Sequence, residues 1–149
     1  RKVYIEGGVI AREVFQLRDR KTQLCLAHTG VTRAVQCVPG EKSQRFQRGN
    51  VDRNTGSCCS GLRAYGTNDC MDYFDGSGGH YYSCDVSGQN QNQQARLLES
   101  GRIQREHGEC LFVDEGRVAK QACSRLGSDL GIFEKVHVTE PQEWLIYKR

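Results

Sequence analysis

The chain has 149 residues, of which 37% are hydrophobic and 26% charged, with a formal net charge of +3. That length suits one domain with a modest core. Lys and Arg are scattered without a run of five or six, and no apolar run approaches a membrane span. Nucleic acid and membrane insertion are therefore not expected.

Seventeen glycines against two prolines point to many turns. Eight cysteines are a high, even count, and they favour disulfides and an oxidising compartment, extracellular or in the secretory lumen. There is no Cys-x-x-Cys pair, and His28, His80, His107 and His137 are not spaced as ligands, so neither a metal nor a cofactor is expected. The chain opens on Arg1 without a signal-peptide pattern and reads as a mature fragment or an excised domain.

Residues 1–12 suggest a short strand over Val3 to Ile5 and a Gly-Gly turn, a lead-in from an upstream domain. From Glu13 a pattern repeats. The first unit, about 13–49, has Phe15 and Leu17 alternating with polar residues, then Cys25-Leu26, Gln36-Cys37 and Gln44-Arg45-Phe46. The second, about 60–99, has Leu62 and Ala64, then Cys70-Met71, Ser83-Cys84 and a Gln-rich run. The third, about 100–149, has Ile103, Cys110-Leu111, Ala122-Cys123 and Gln142-Glu143-Trp144.

The cysteines within each unit lie 12, 14 and 13 residues apart, and the first cysteines of successive units 45 and 40 apart. A period near forty with matched landmarks is an internal repeat. Each unit offers about four short strands. Three units, each tied by a local disulfide (Cys25–Cys37, Cys70–Cys84, Cys110–Cys123), would close a pseudo-threefold barrel. Residues 50–59 and 124–141 break the period and read as surface insertions. Cys58 and Cys59 are left over, with three readings open: a vicinal disulfide, a link to another chain, or free thiols. A structural bond in a loop is preferred over a redox role. Phe46 and Trp144 read as core aromatics.

The richest stretch is 69–94. It holds Asp72, a glycine-rich turn, Tyr81-Tyr82 before Cys84, and an Asn/Gln tail. A carboxylate, an aromatic face and side-chain amides are what a small polyol binder needs: the carboxylate accepts from vicinal hydroxyls and the ring covers an apolar C–H face. The competing reading of Asp72 is a turn aspartate that caps its own backbone. Tyr81 and Tyr82 should point to opposite faces of a strand, one to the core. His80 reads as a solvated turn histidine or a rim donor.

The three Cys-apolar openings, the second cysteines and the Gln-x-aromatic closings resemble the ricin-type β-trefoil lectin family. The closing PQEWLIYKR is similar to lectin domains of polypeptide N-acetylgalactosaminyltransferases, and the opening VFQLRDRKTQLCLA to cysteine-rich domains of mannose-receptor-type proteins. The resemblance covers roughly 13–149 and implies an all-β trefoil. It also implies that a sugar-competent repeat carries Asp two after its first Cys, an aromatic two before its second, and Asn just before the motif Gln. In the second unit these are Asp72, Tyr82 and Asn92 with Gln93, or Asn90 if Gln91 is the motif Gln; Asn92 and Gln93 are preferred. The matching positions are Ala27, Val35 and Ser43 in the first unit, and Phe112, Gln121 and Pro141 in the third.

The expectation is thus a lectin-like domain taking a galactose- or N-acetylgalactosamine-type glycan or glycoprotein through its second repeat. The alternatives are a protein-interaction trefoil with a vestigial site, or a targeting domain of a larger enzyme or toxin, with other domains in the same chain. No catalytic residues are expected. The chain has no G-x-S-x-G or H-E-x-x-H, and the acid pair Asp72 and Asp75 would need a deep cleft to act as a glycosidase.

Overall fold

The computed structural model describes residues 3–4, 10–11, 13–48, 59 and 61–138. Strands β1 (Val3–Tyr4) and β2 (Ile10–Ala11) pair antiparallel as a small ribbon. The remaining twelve strands form one curled sheet in three groups of four. The first group is β3 (Val14–Asp19), β4 (Leu24–Thr29), β5 (Val31–Gln36) and β6 (Phe46–Arg48). The second is β7 (Leu62–Ala64), β8 (Asp69–Asp75), β9 (Gly78–Ser83) and β10 (Arg96–Leu97). The third is β11 (Ile103–Gln104), β12 (Glu109–Asp114), β13 (Arg117–Ala122) and β14 (Phe133–His137).

This is a β-trefoil. The outer strands of each group build the barrel: β3 pairs β6, β6 pairs β7, β10 pairs β11, and β14 returns to pair β3. The inner strands form three hairpins, β4–β5, β8–β9 and β12–β13, which touch through Val31↔His80 and Arg117↔Arg33. The third hairpin turns on Glu115 and Gly116, both at positive φ, as a tight two-residue turn requires.

The core follows from the repeat. Leu26, Met71 and Leu111, each just after a cysteine, are fully buried on their inner strands. Phe15, Leu17, Phe46, Leu62, Ile103 and Phe133 complete one apolar cluster from the barrel strands. Where Phe46 fills the first repeat, the second has Ala95. Gly61 approaches there so closely that a Cβ would meet the Gln93 carbonyl oxygen at 2.2 Å.

Two expectations need correction. First, Cys70 is bonded to Cys59, not to Cys84, while Cys25–Cys37 and Cys110–Cys123 are bonded within their hairpins. The chain ahead of β7 brings Cys59, buried with 1% exposure, onto Cys70, and Cys84 stays a half-buried thiol beside that bond. Cys58 lies outside the described residues. Second, the stretch 124–141 is not simply an insertion. It contains β14, whose Phe133 pairs with Asp19 and whose His137 pairs with Phe15, so Gly131-Ile132-Phe133 closes the third repeat. Gln142 and Trp144 lie outside the described residues.

Candidate functional site

The second hairpin departs from the other two. The β4–β5 and β12–β13 ladders run without a break, whereas β8–β9 shifts register between Met71 and Phe74. Met71 pairs with Tyr81 and Phe74 with Gly79, so Asp72 and Tyr73 together oppose His80. A bulge of this kind re-aims side chains and is common beside binding sites. Here it sits at the one carboxylate that the first and third repeats lack.

Asp72 is buried, with 4% exposure. Its Oδ2 accepts from Gln93 Nε2 at 2.9 Å and from Asn90 Nδ2 at 3.3 Å. Gln93 also donates to the Ser83 carbonyl at 2.9 Å and accepts from the Asp85 backbone N–H at 3.0 Å. Gln44 does the same work in the first repeat: it donates to the Gln36 carbonyl at 2.9 Å and accepts from the Val38 N–H at 2.8 Å. Gln93 is therefore the structural counterpart of Gln44, and its remaining N–H is the one that reaches Asp72.

Asn90 caps the short 3₁₀ turn Gln91–Gln93, its Oδ1 accepting from the Asn92 N–H at 3.0 Å. This is a second role beside its bond to Asp72. Asn92 is exposed on that same turn. The loop leading to it is folded around Asp85. One carboxylate oxygen takes the Ser87 hydroxyl and N–H at 2.7 and 3.0 Å, and the other takes the Asn90 and Gln89 N–H groups at 2.7 and 3.1 Å. The Ser87 hydroxyl, followed by these backbone donors, holds the Asp85 carboxyl below its ordinary pKa.

Tyr82 is 59% exposed at the outer end of β9. Its neighbour Tyr81 faces inward, where Thr32 Oγ1 donates to its hydroxyl at 2.9 Å and burial pushes the phenol pKa up. The alternation of a strand thus separates the two rings. Tyr82 lies 6.0 Å from Tyr73, ring to ring, and Tyr73 stacks on His80 at 4.4 Å. His80 Nε2 is 3.0 Å from Asp75 Oδ2, and the Ser77 hydroxyl, with His80 after it, lowers the Asp75 carboxyl pKa.

Sequence reasoning missed Arg105. This buried third-repeat residue donates through Nη2 to the Asp72 carbonyl at 3.1 Å and through Nη1 to Glu109 Oε1 at 2.9 Å. Its guanidinium lies 4.8 Å over the Phe74 ring. It braces the bulge from the adjoining repeat. No local signal marks such a contact, which joins residues 33 apart.

The structure therefore brings together Asp72, Asn90 and Gln93 by direct bonds, with Asn92 on the same turn and Tyr82 exposed on β9. No group of three or more His, Cys, Asp or Glu side chains among the described residues could hold a metal ion. Among those residues no helix is long and apolar enough to cross a membrane.

No family model matches the chain, and no curated protein matches it. Among solved structures it is similar to GalNAc-T7, crystallised with UDP, GalNAc and Mn2+, at a TM-score of 0.63 and 17% sequence identity. The likeness covers 85% of this chain and 23% of that one, so the chain spans about a quarter of the protein it resembles. At that identity the likeness shows a shared trefoil fold.

Proposed function

We propose that this chain is a carbohydrate-binding β-trefoil domain that takes a galactose- or N-acetylgalactosamine-type glycan through its second repeat. One observation carries the reading. Asp72 is fixed through Oδ2 by two side-chain amides, in the one repeat that also presents an exposed aromatic two residues before its second cysteine. A carboxylate pinned through one oxygen presents the other in a fixed direction. That is how vicinal hydroxyls are recognised at low entropic cost.

Asp72 Oδ1 would accept from a sugar hydroxyl. Asn92, on the turn that Asn90 caps, would donate to and accept from its neighbour. Tyr82 would cover the apolar C–H face. The galactose-type preference rests on the resemblance to ricin-type lectins. Ala27 and Phe112 at the Asp72 position leave the first and third repeats without the carboxylate. A single shallow site binds weakly: a millimolar dissociation constant corresponds to about 4 kcal/mol. Useful avidity would come from a second module or from other domains of a longer chain. The three disulfides fit work outside the cell or in the secretory lumen.

The test is a glycan array probed with the wild-type chain and with Asp72→Asn. Binding to terminal galactose or N-acetylgalactosamine that the substitution abolishes would support the reading. A wild type that binds no glycan, sulfated sugars included, would overturn it in favour of a protein-interaction trefoil.

A further inference from the structure

Cys84 stands where each of the other two hairpins has a disulfide partner. In the first hairpin Leu24 pairs with Gln36, which puts Cys37 opposite Gln23, two residues before Cys25. In the third, Glu109 pairs with Ala122, which puts Cys123 opposite Gly108, two before Cys110. In the second, Asp69 pairs with Ser83 and the Cys84 N–H donates to the Asn68 carbonyl at 2.8 Å, which puts Cys84 opposite Asn68, two before Cys70. The first and third frames carry disulfides with Cα atoms 5.0 and 4.9 Å apart. The backbone of the second frame is the same, so a Cys70–Cys84 bond is within its reach.

Cys70 is bonded to Cys59 instead. The Cys84 sulfur packs against that bond and accepts the Cys59 backbone N–H at 3.1 Å. Three sulfurs thus lie together, and Cys70 is a fitting partner for either of the others.

We propose that this is a disulfide-exchange device in which Cys70 changes partner between Cys59 and Cys84. Cys84 gives its proton to water, and the thiolate attacks Cys70 Sγ. The Cys70–Cys84 bond forms as the Cys59–Cys70 bond breaks, and Cys59 leaves as a thiolate that takes a proton from water. One disulfide and one thiol are present before and after, so no oxidant or reductant is consumed.

The exchange moves a clamp. Cys84 lies between Ser83, whose carbonyl accepts from Gln93, and Asp85, whose N–H donates to Gln93. A Cys70–Cys84 bond ties both anchors to β8, two residues before Asp72. A Cys59–Cys70 bond ties β8 instead to the segment entering Gly61, which packs against the Gln93 carbonyl and Ala95. Control of sugar binding by this step would rest on the function proposed above; the exchange itself does not.

The test is linkage mapping by mass spectrometry of the wild-type chain and of Cys58→Ser, which removes the neighbouring cysteine. Samples are blocked with N-ethylmaleimide at once, or after incubation at mildly alkaline pH without oxidant or added thiol. The expected result is two isomers, one with Cys59–Cys70 and blocked Cys84, the other with Cys70–Cys84 and blocked Cys59, their ratio changing on incubation in both proteins. A single linkage that incubation leaves unchanged would overturn the proposal. Cys84→Ser and Cys59→Ser each hold one isomer, and the Asp85 amide should exchange its hydrogen several-fold more slowly in Cys59→Ser. Equal protection would overturn the clamp. Neither measurement uses a glycan, so a failed array and a failed exchange are separate outcomes.

Discussion

Gln93 Nε2 bridges the Ser83 carbonyl and Asp72 Oδ2, each at 2.9 Å. One side chain thus closes the end of β9 and aims the carboxylate on β8. Gln44 makes the corresponding backbone closure, but Ala27 stands where Asp72 would be. A structural glutamine common to two repeats becomes part of a candidate site in one of them because its last N–H meets a carboxylate.

Asp72→Asn should abolish detectable glycan binding and leave the fold intact. The asparagine oxygen can still accept from Gln93 and Asn90, so the interior stays satisfied. Its amide nitrogen then takes the place of Oδ1, and an acceptor becomes a donor. Hydrogen bonds to a charged group contribute about 1.5–3 kcal/mol, one to two decades in affinity, which a millimolar site cannot lose and still be detected. The matching control is Glu115→Gln in the third hairpin turn. A titration showing unchanged affinity for Asp72→Asn, with an unchanged melt, would remove Asp72 from the site.

Gln93→Ala and Gln44→Ala should separate the two roles of this glutamine. Each removes two part-buried bonds from the glutamine amide to backbone, and each such bond contributes about 0.5–1.5 kcal/mol. Both variants should therefore melt well below the wild type. Gln44→Ala should keep its glycan affinity, whereas Gln93→Ala should lose it along with the aim of Asp72. Chemical denaturation alongside binding would show the split; equal losses of affinity would contradict it.

Tyr82→Ala and Phe46→Ala are a second contrasting pair. Tyr82 is exposed, and removing it should change stability by no more than about 0.5 kcal/mol while removing the proposed stacking face. Phe46 is fully buried in the barrel, so its loss should cost about 3–5 kcal/mol. A stable Phe46→Ala protein would argue against the barrel packing of the first repeat.

Much of the trefoil was legible because the repeat is written in apolar residues that follow cysteines: Leu26, Met71 and Leu111 are all core. Even the uneven spacing of 12, 14 and 13 has a reading. The first hairpin turns through the single residue Gly30, the third through two, and the second through two with one bulge residue added. That bulge was visible as an extra residue but not as a re-aimed Asp72, since a turn insertion gives the same count. The partner of Cys70 was not legible, because spacing ranks Cys84 above Cys59 and the path of the chain before β7 is not local information. The third closing strand was hidden for another reason. Gly131 stands where Gln44 and Gln93 stand, so Phe133 carries no motif, and the Gln142–Trp144 motif drew the assignment downstream. Arg105 lies beyond any local rule.

Asp85 should give the site an acid limit. It organises the loop that carries Asn90, and its carboxyl is held below the ordinary aspartate value of 3.8, chiefly by the Ser87 hydroxyl and then by backbone N–H groups. A carboxyl whose pKa is depressed by folding contributes stability above its unfolded pKa, and that contribution is lost as pH falls through the folded value. Stability should therefore begin to decline below about pH 4. The unfolded chain takes up the proton first, while the folded carboxyl, held lower, stays ionised and keeps its donors until pH falls through its own value. Asp85→Ala lacks the group in both states, so its stability should fall less steeply over the same acid range, from a lower value at neutral pH. Ser87→Ala should lie between, since it removes the largest single cause of the shift and keeps the backbone donors. Thermal melts of the three proteins across the acid range measure this directly. Parallel pH profiles for wild type and Asp85→Ala would show that Asp85 does not set the acid stability of the loop.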